Sequence, residues 1–173
     1  MPVRREGKLE RFMALANVGQ RSGLILAGNV VAQAAQGKAP RRTGRLKRSL
    51  TAGKPFSTGA LSWAIHVGTN VIYAAIQEFG GIIKPKDAKH LAIPIGDLKG
   101  SPRQYPDLHI AKTRSGTWLL MDGQGKVQYV LKDSVTIPAR PYLRPALQEK
   151  HKVIPTIILR SIMGALKGMG RSG

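Results

Sequence analysis

The chain has 173 residues, 42% of them apolar, which is enough for a folded core and argues against wholesale disorder. Its 28 Lys+Arg against 9 Asp+Glu give a formal charge of +19 and a pI near 11.1, a field that favours polyanion partners or acidic protein surfaces and repels copies of itself. Cysteine is absent, which excludes disulfides, thiol nucleophiles and every cysteine metal site.

The N-terminus, MPVRREGKLERF, carries no apolar signal-peptide core. Residues 3–17 then place Leu9, Phe12, Met13 and Ala16 on one helical face. Gly19 and Gly23 flank Ser22, a plausible N-cap, so a second helix is predicted over Leu24–Gln36 with Leu24, Gly28, Val31 and Ala35 inward. This stretch is too short and too polar, at Asn29 and Gln33, to span a bilayer. No membrane partner is expected, and the chain reads as soluble, used inside a cell or a particle. Gly37 closes the helical N-terminus, 1–37.

A basic segment follows over 38–48. Lys38, Arg41, Arg42, Arg45, Lys47 and Arg48 crowd one short run, with Pro40 ending the helix and Gly44 permitting a turn. The expectation is a projecting, mobile loop that meets DNA or an acidic partner; plain solvation is the alternative. LSWAIHVGT alternates as a strand, with SLTAGKPF as its partner. IYAAIQEFGG returns to helical spacing, with Ile72, Ile76 and Phe79 predicted inward and Gly80 as the stop. Glu78 is the only carboxylate between Glu10 and Asp87. It is either a solvated acid or an ion-pair partner of Arg140 or Arg45.

Residues 81–136 read as an insertion whose strands are HLAIPI, DLHIAKT, GTWLLMD and KVQYVLKD, the last two joined by DGQG as a hairpin. A short approach strand leads to a C-terminal helix over 139–167. Pro141 fits its first turn, Pro155 should bend it, and Leu143, Leu147, Ile154, Ile158 and Ile162 form its inner stripe. The fold class is therefore α+β, one domain over 1–173. A small antiparallel sheet is packed by an N-terminal and a C-terminal helix and bears a hairpin insertion.

No catalytic set is legible. The four histidines lack metal-ligand spacing, no phosphate-binding glycine loop or nucleophile elbow occurs, and the carboxylates are scattered singly. No catalytic residue, metal or cofactor is expected. Aromatics, at 5%, are too sparse for a base-stacking platform.

Three ordered stretches carry a resemblance. They are Ala39-Pro40-x-x-Thr43-Gly44-x-Leu46-x-x-Ser49; Val67-Gly68-Thr69 with Tyr73-Ala74-x-x-x-Glu78-Phe79-Gly80; and Ile137-Pro138-Ala139-Arg140-Pro141-Tyr142-Leu143-Arg144-Pro145-Ala146-Leu147. Over roughly residues 20–165 the chain resembles the bacteriophage tail-completion, or neck, family of tail components. The middle hairpin together with SVTIPARPYL is similar to the lambda minor tail protein Z and Mu protein G branch. The resemblance implies a virion structural protein, assembled in the host cytoplasm, that forms a sixfold ring joining the head connector to the tail tube. Its partners would be further copies of itself, a head-closure or connector protein, and a tail terminator or tail tube protein, with phage DNA in the lumen. The long 81–136 stretch departs from the shorter relatives. A reading from another class is a non-sequence-specific nucleic-acid-binding protein of ribosomal or nucleoid type.

Overall fold

Val3–Lys38 forms one continuous helix, α1, about 54 Å long at 1.5 Å per residue. The computed structural model describes residues 3–167; the parts of the predicted 1–37 and 1–173 spans that fall on residues 1–2 and 168–173 lie outside the described residues. The expected break near Ser22 is absent. Gly19, Gly23, Ala27, Val31, Ala35 and Ala39 are all buried at four-residue spacing, a single ridge of small side chains. Farther toward the N-terminus the predicted inner face is open: Leu9 is 61% and Phe12 47% exposed.

The glycines serve the last helix rather than a turn. After α1 come a five-residue helix, α2 (Arg45–Ser49), four short strands, β1 (Thr51–Ala52), β2 (Phe56–Gly59), β3 (Ser62–Ala64) and β4 (Val67–Gly68), and the helix α3 (Ala74–Phe79). The chain returns later as α4 (Leu143–Lys150) and α5 (Ile154–Lys167), and α5 lies along α1. A Cβ on Gly19 would stand 2.5 Å from the Ile162 Cα, and one on Gly23 would stand 2.8 Å from the Ile158 Cα. Two backbones meet there, and neither can yield as a flexible side chain would. The predicted 139–167 helix is thus two helices, parted by a turn at residues 151–153. Pro155 lies in the first turn of α5, where its missing N–H is harmless. Leu143, Ile154, Ile158 and Ile162 are half-buried as the stripe predicted, but Leu147 is 51% exposed.

The predicted strand over 61–69 is also two pieces. β2 and β3 form a hairpin, while β1 pairs antiparallel with β4; the Gly53 N–H reaches the His66 carbonyl at 2.8 Å between them. Trp63 ties the hairpin to α1, its indole N–H donating to Asn17 Oδ1 at 2.9 Å with Arg21 above the ring. On α3 the inward residues are Ala74 and Glu78, preceded by Val71. Ile72 is fully exposed and Phe79 70% exposed, so the predicted Ile72–Ile76–Phe79 face is not the buried one.

Residues Met1–Phe79 with Ala139–Gly173 form one compact unit, and Gly80–Pro138 form a second. The second spans the predicted 81–136 insertion and extends past it by Gly80 on one side and Ile137 and Pro138 on the other. Its terminal strands β5 (Gly81–Ile83) and β10 (Val135–Ile137) pair antiparallel. Between them β6 (Leu91–Pro94), β7 (His109–Lys112), β8 (Trp118–Met121) and β9 (Val127–Lys132) make an antiparallel sheet in the order β6-β9-β8-β7. The β8–β9 turn is the predicted DGQG. Asp122 Oδ1 accepts from the Gln124 and Lys126 amides at 3.0 and 2.9 Å, and Gly125 adopts φ +78°. Tyr129 is the fully buried side chain of this unit, with Gln128 beside it in sequence, buried and bonded to Asp122 and the Leu98 amide. The whole is α+β with small antiparallel sheets and helices toward both ends.

The glycine ridge yields a prediction of sign. In an exposed helix Gly→Ala stabilises by about 1 kcal/mol. Here Gly19→Ala/Gly23→Ala should instead lower the melting temperature, because α5 must move away. A raised melting temperature would show that the helices do not approach this closely.

Candidate functional site

The basic segment is built on buried anchors. Ala39, 3% exposed, prolongs α1 by donating its N–H to the Ala35 carbonyl at 2.9 Å. Pro40 then lets the chain leave the helix. Gly44 takes φ +70°, a left-handed conformation that a side chain would strain, and α2 begins. Leu46 and Leu50, 2% and 0% exposed, plug this end into the core. The Ser49 hydroxyl bonds the Leu46 carbonyl and Thr69 Oγ1 at 2.9 and 2.6 Å, and Thr69 Oγ1 accepts from the Val71 amide. The expected mobile loop over 38–48 is therefore a short turn followed by a docked helix that carries Arg45, Lys47 and Arg48.

The three sequence stretches meet in one core. Ala39 and Leu46 come from the first, Ala74 from the second, and Tyr142 and Ala146 from the third, joined by Ala35, Leu50 and Val71. Over this core lies an open cleft of about 940 Å³, lined by Pro40 to Leu46 with Arg48, Tyr73, Gln77 and Arg140. Five arginines, Arg41, Arg42, Arg45, Arg48 and Arg140, are among its lining residues, and no acidic residue lines it. Among the described residues none of the five is paired with an acid. Thr43 and Gly44 shape the wall: the Thr43 carbonyl accepts from the Arg48 guanidinium at 3.3 Å, and a side chain on Gly44 would collide with that guanidinium. The Arg140 amide donates to the Gln77 carbonyl at 2.7 Å, fixing where that arginine enters. Gln77 had no signal in the sequence.

Lys38 stands apart from the cleft. Its Nζ pairs with Glu149 at 2.9 Å, and Lys150 pairs with the same carboxylate. Lys150 and Lys38 together hold the Glu149 carboxyl down to about 2. Lys47 is half-buried and does not line the cleft. Tyr73, 40% exposed, is a cleft wall, while Phe79 points outward and Gly80 closes α3 at φ +70°.

Glu78 is neither solvated nor paired with Arg140 or Arg45. It is 7% exposed, and its Oε2 accepts from the Tyr142 and Leu143 amides at 2.7 and 2.9 Å, its Oε1 from the Arg144 amide at 2.9 Å. These are the unpaired donors at the start of α4. Pro145, the next residue, has no N–H to satisfy, and the Ala146 amide opens the helical ladder to the Tyr142 carbonyl. Every early donor is thereby accounted for by one remote carboxylate and one proline. Pro141, expected in the first turn, instead precedes the Tyr142 cap, and Pro145 takes the first-turn place. Burial acts to raise the Glu78 carboxyl, but the Leu143, Tyr142 and Arg144 amides and the Arg144 charge outweigh it and leave it below its ordinary value.

Among the described residues no group of three or more His, Asp or Glu side chains is placed to hold a metal ion, and no helix is long and apolar enough to cross a membrane.

Residues 5–80 match the family model described as HK97-gp10-like, "Bacteriophage HK97-gp10, putative tail-component". The matched segment runs from α1 through the basic turn to the end of α3. Over these residues, fewer than half of the chain, it is similar to a phage tail component. Neither the curated proteins nor the solved structures include a match to the chain.

The matched segment contains Glu78 but not the amides that it binds, and this bond is open to measurement. Glu78→Gln should cost about 3 kcal/mol, since its amide NH₂ must face an N–H donor in a buried place. The folded carboxyl titrates below its unfolded value. Its contribution is therefore complete above about pH 4.3 and is lost as pH falls through the lower folded value. Acid titration of stability should show that component in the native chain and not in the Gln variant; equal acid sensitivity would contradict it.

Proposed function

We propose that this chain is a tail-completion or neck subunit of a tailed phage, forming a ring, expected to be hexameric, between the head connector and the tail tube and around the DNA channel. Its role is structural rather than enzymatic. The observation that carries the reading is the matched segment, residues 5–80, folded so that its motif residues share one core with the IPARPYLRPAL stretch outside it. The similarity of SVTIPARPYL to the lambda Z and Mu G branch belongs to the same proposal.

Surface chemistry supports assembly. Leu9, Phe12 and Val18 on α1 and Leu159 and Met163 on α5 are each about half exposed or more, more apolar side chain than an isolated helix pair needs to leave in water. The cations supply the second ingredient. A ring multiplies the +19 of each chain, so it requires acidic neighbours, DNA, or both. The connector, the tail terminator or tube protein and the phage genome are the proposed neighbours, first met in the host cytoplasm.

The acid-free arginine cleft also suits the second reading, a free nucleic-acid-binding protein of ribosomal or nucleoid type. Cells producing the phage without this chain should accumulate filled heads and separate tails with few joined particles. Electron micrographs showing normal joined virions would sink the neck reading, and sedimentation of the chain with bulk nucleic acid rather than with particles would favour the second.

Self-repulsion generates a further expectation. At low salt the purified chain should remain monomeric or loosely associated, and association should grow as salt shortens the screening length or as a neighbour is added. Light scattering measures this directly; a stable hexamer at low salt would contradict it.

A further inference from the structure

We propose that the arginine cleft is a receptor for an acidic peptide segment of a different protein, not a DNA-tracking surface. Three separate stretches converge on it: the turn and helix over residues 40–48, α3 and the turn before it through Gln77 and Tyr73, and the approach to α4 through Arg140. Leu46, Leu50 and the Arg140–Gln77 backbone bond hold these stretches in place, so the cationic groups stand on a rigid frame. Planar guanidinium forks take carboxylates two bonds at a time, and arginine clusters of this kind are a recurrent way of reading acidic motifs.

The shape decides between polyanions. The cleft holds about 940 Å³, room for a few side chains of a peptide, whereas a duplex is too wide to enter it and would reach only rim groups with its phosphates. A single strand could enter, but such sites stack successive bases on several aromatic rings, and this lining offers Tyr73 alone. An extended peptide with neighbouring Glu or Asp residues can carry several carboxylates inward while its stems rest on Tyr73.

Charge also disfavours a second copy as donor. No two acidic residues of this chain are adjacent in sequence. Of its nine acidic residues, Glu78, Asp97, Asp122, Asp133 and Glu149 are already held by partners within it. Glu6, Glu10, Asp87 and Asp107 stand singly, so no extended stretch offers neighbouring carboxylates. The occupant therefore belongs to another chain. This inference takes its setting from the assembly reading above, but its test uses the purified protein, so joined particles without the chain would remove that reading and leave this one standing.

The measurement is fluorescence anisotropy of labelled hexaglutamate, a short mixed-sequence duplex and oligothymidylate, each with the full chain. Three variants are compared: Arg42→Ala/Arg45→Ala/Arg140→Ala; the same three positions changed to Lys; and Lys84→Ala/Lys86→Ala/Lys89→Ala, which removes equal charge from exposed positions in the other unit. The cleft alanine variant should weaken hexaglutamate about tenfold or more. The lysine-stretch variant should change it little, and the two should weaken duplex binding alike, since non-specific DNA binding counts charges. Should the alanine variant melt early, the Arg→Lys variant decides: it keeps the net charge, and weaker peptide binding with unchanged duplex binding supports the receptor. Equal loss of hexaglutamate in the cleft and lysine-stretch variants overturns it in favour of a general field. Selective loss of duplex or oligothymidylate in the cleft variant overturns it in favour of a nucleic-acid site.

Discussion

One carboxylate closes the first unit. Glu78, on a six-residue helix, takes the amides of Tyr142, Leu143 and Arg144 across more than sixty residues of chain. A buried charge without partners would be strongly unfavourable; three backbone donors, each also in need of an acceptor, resolve two problems at once. The consequence spreads outward. Fixing the start of α4 places Tyr142 and Ala146 in the core beside Ala35, Ala39, Leu46 and Leu50. That core sets α2, and α2 sets the arginines. The cleft thus rests on a bond that none of its cations makes.

The second constraint is steric. From Gly19 onward α1 is covered on its small-residue side, by α5 at Gly19 and Gly23 and, beside that ridge, by Ile65 and Ala52 at Gly28. The cost of two glycines within a helix, about 1 kcal/mol each, is offset by the backbone approach they permit. At its other end the same helix delivers Ala39 to the core and stops at Pro40, where the cationic run begins. Close packing and the charged site are therefore two ends of one element.

The cations divide by their neighbours rather than by sequence proximity. Lys38 is consumed by Glu149, Lys126 by Asp97, and Arg21 covers Trp63. The five arginines of the cleft face no acid among the described residues, although Glu78 lies only one residue from Gln77 in its lining. Glu78 is turned away because backbone amides, fixed in position and already desolvated, hold it more firmly than a solvated guanidinium could. The charge of the cleft is left uncompensated by any acid among the described residues.

Local chemistry was legible in the amino-acid order by itself. The helical spacing within α1, the DGQG turn, the strands of the insertion, the α+β class, the basic run and the absence of cysteine are all properties of neighbouring residues. The resemblance of the ordered motifs to a tail component rested on them too, and agrees with the match over residues 5–80. What only the tertiary structure decided were choices between partners distant in sequence. Gly19 and Gly23 could break a helix or admit another, and nothing in their own neighbourhood distinguishes the two. Glu78 could pair with arginine or with main chain, and a backbone amide leaves no mark in side-chain identity. Six cations in one run looked equivalent until Lys38 was drawn to Glu149 and Arg140, almost one hundred residues away, was brought in beside Arg41, Arg42, Arg45 and Arg48. Local preferences amount to about 1 kcal/mol per residue, whereas burial and close approach act on many residues together, so where the two conflict the long-range contacts prevail.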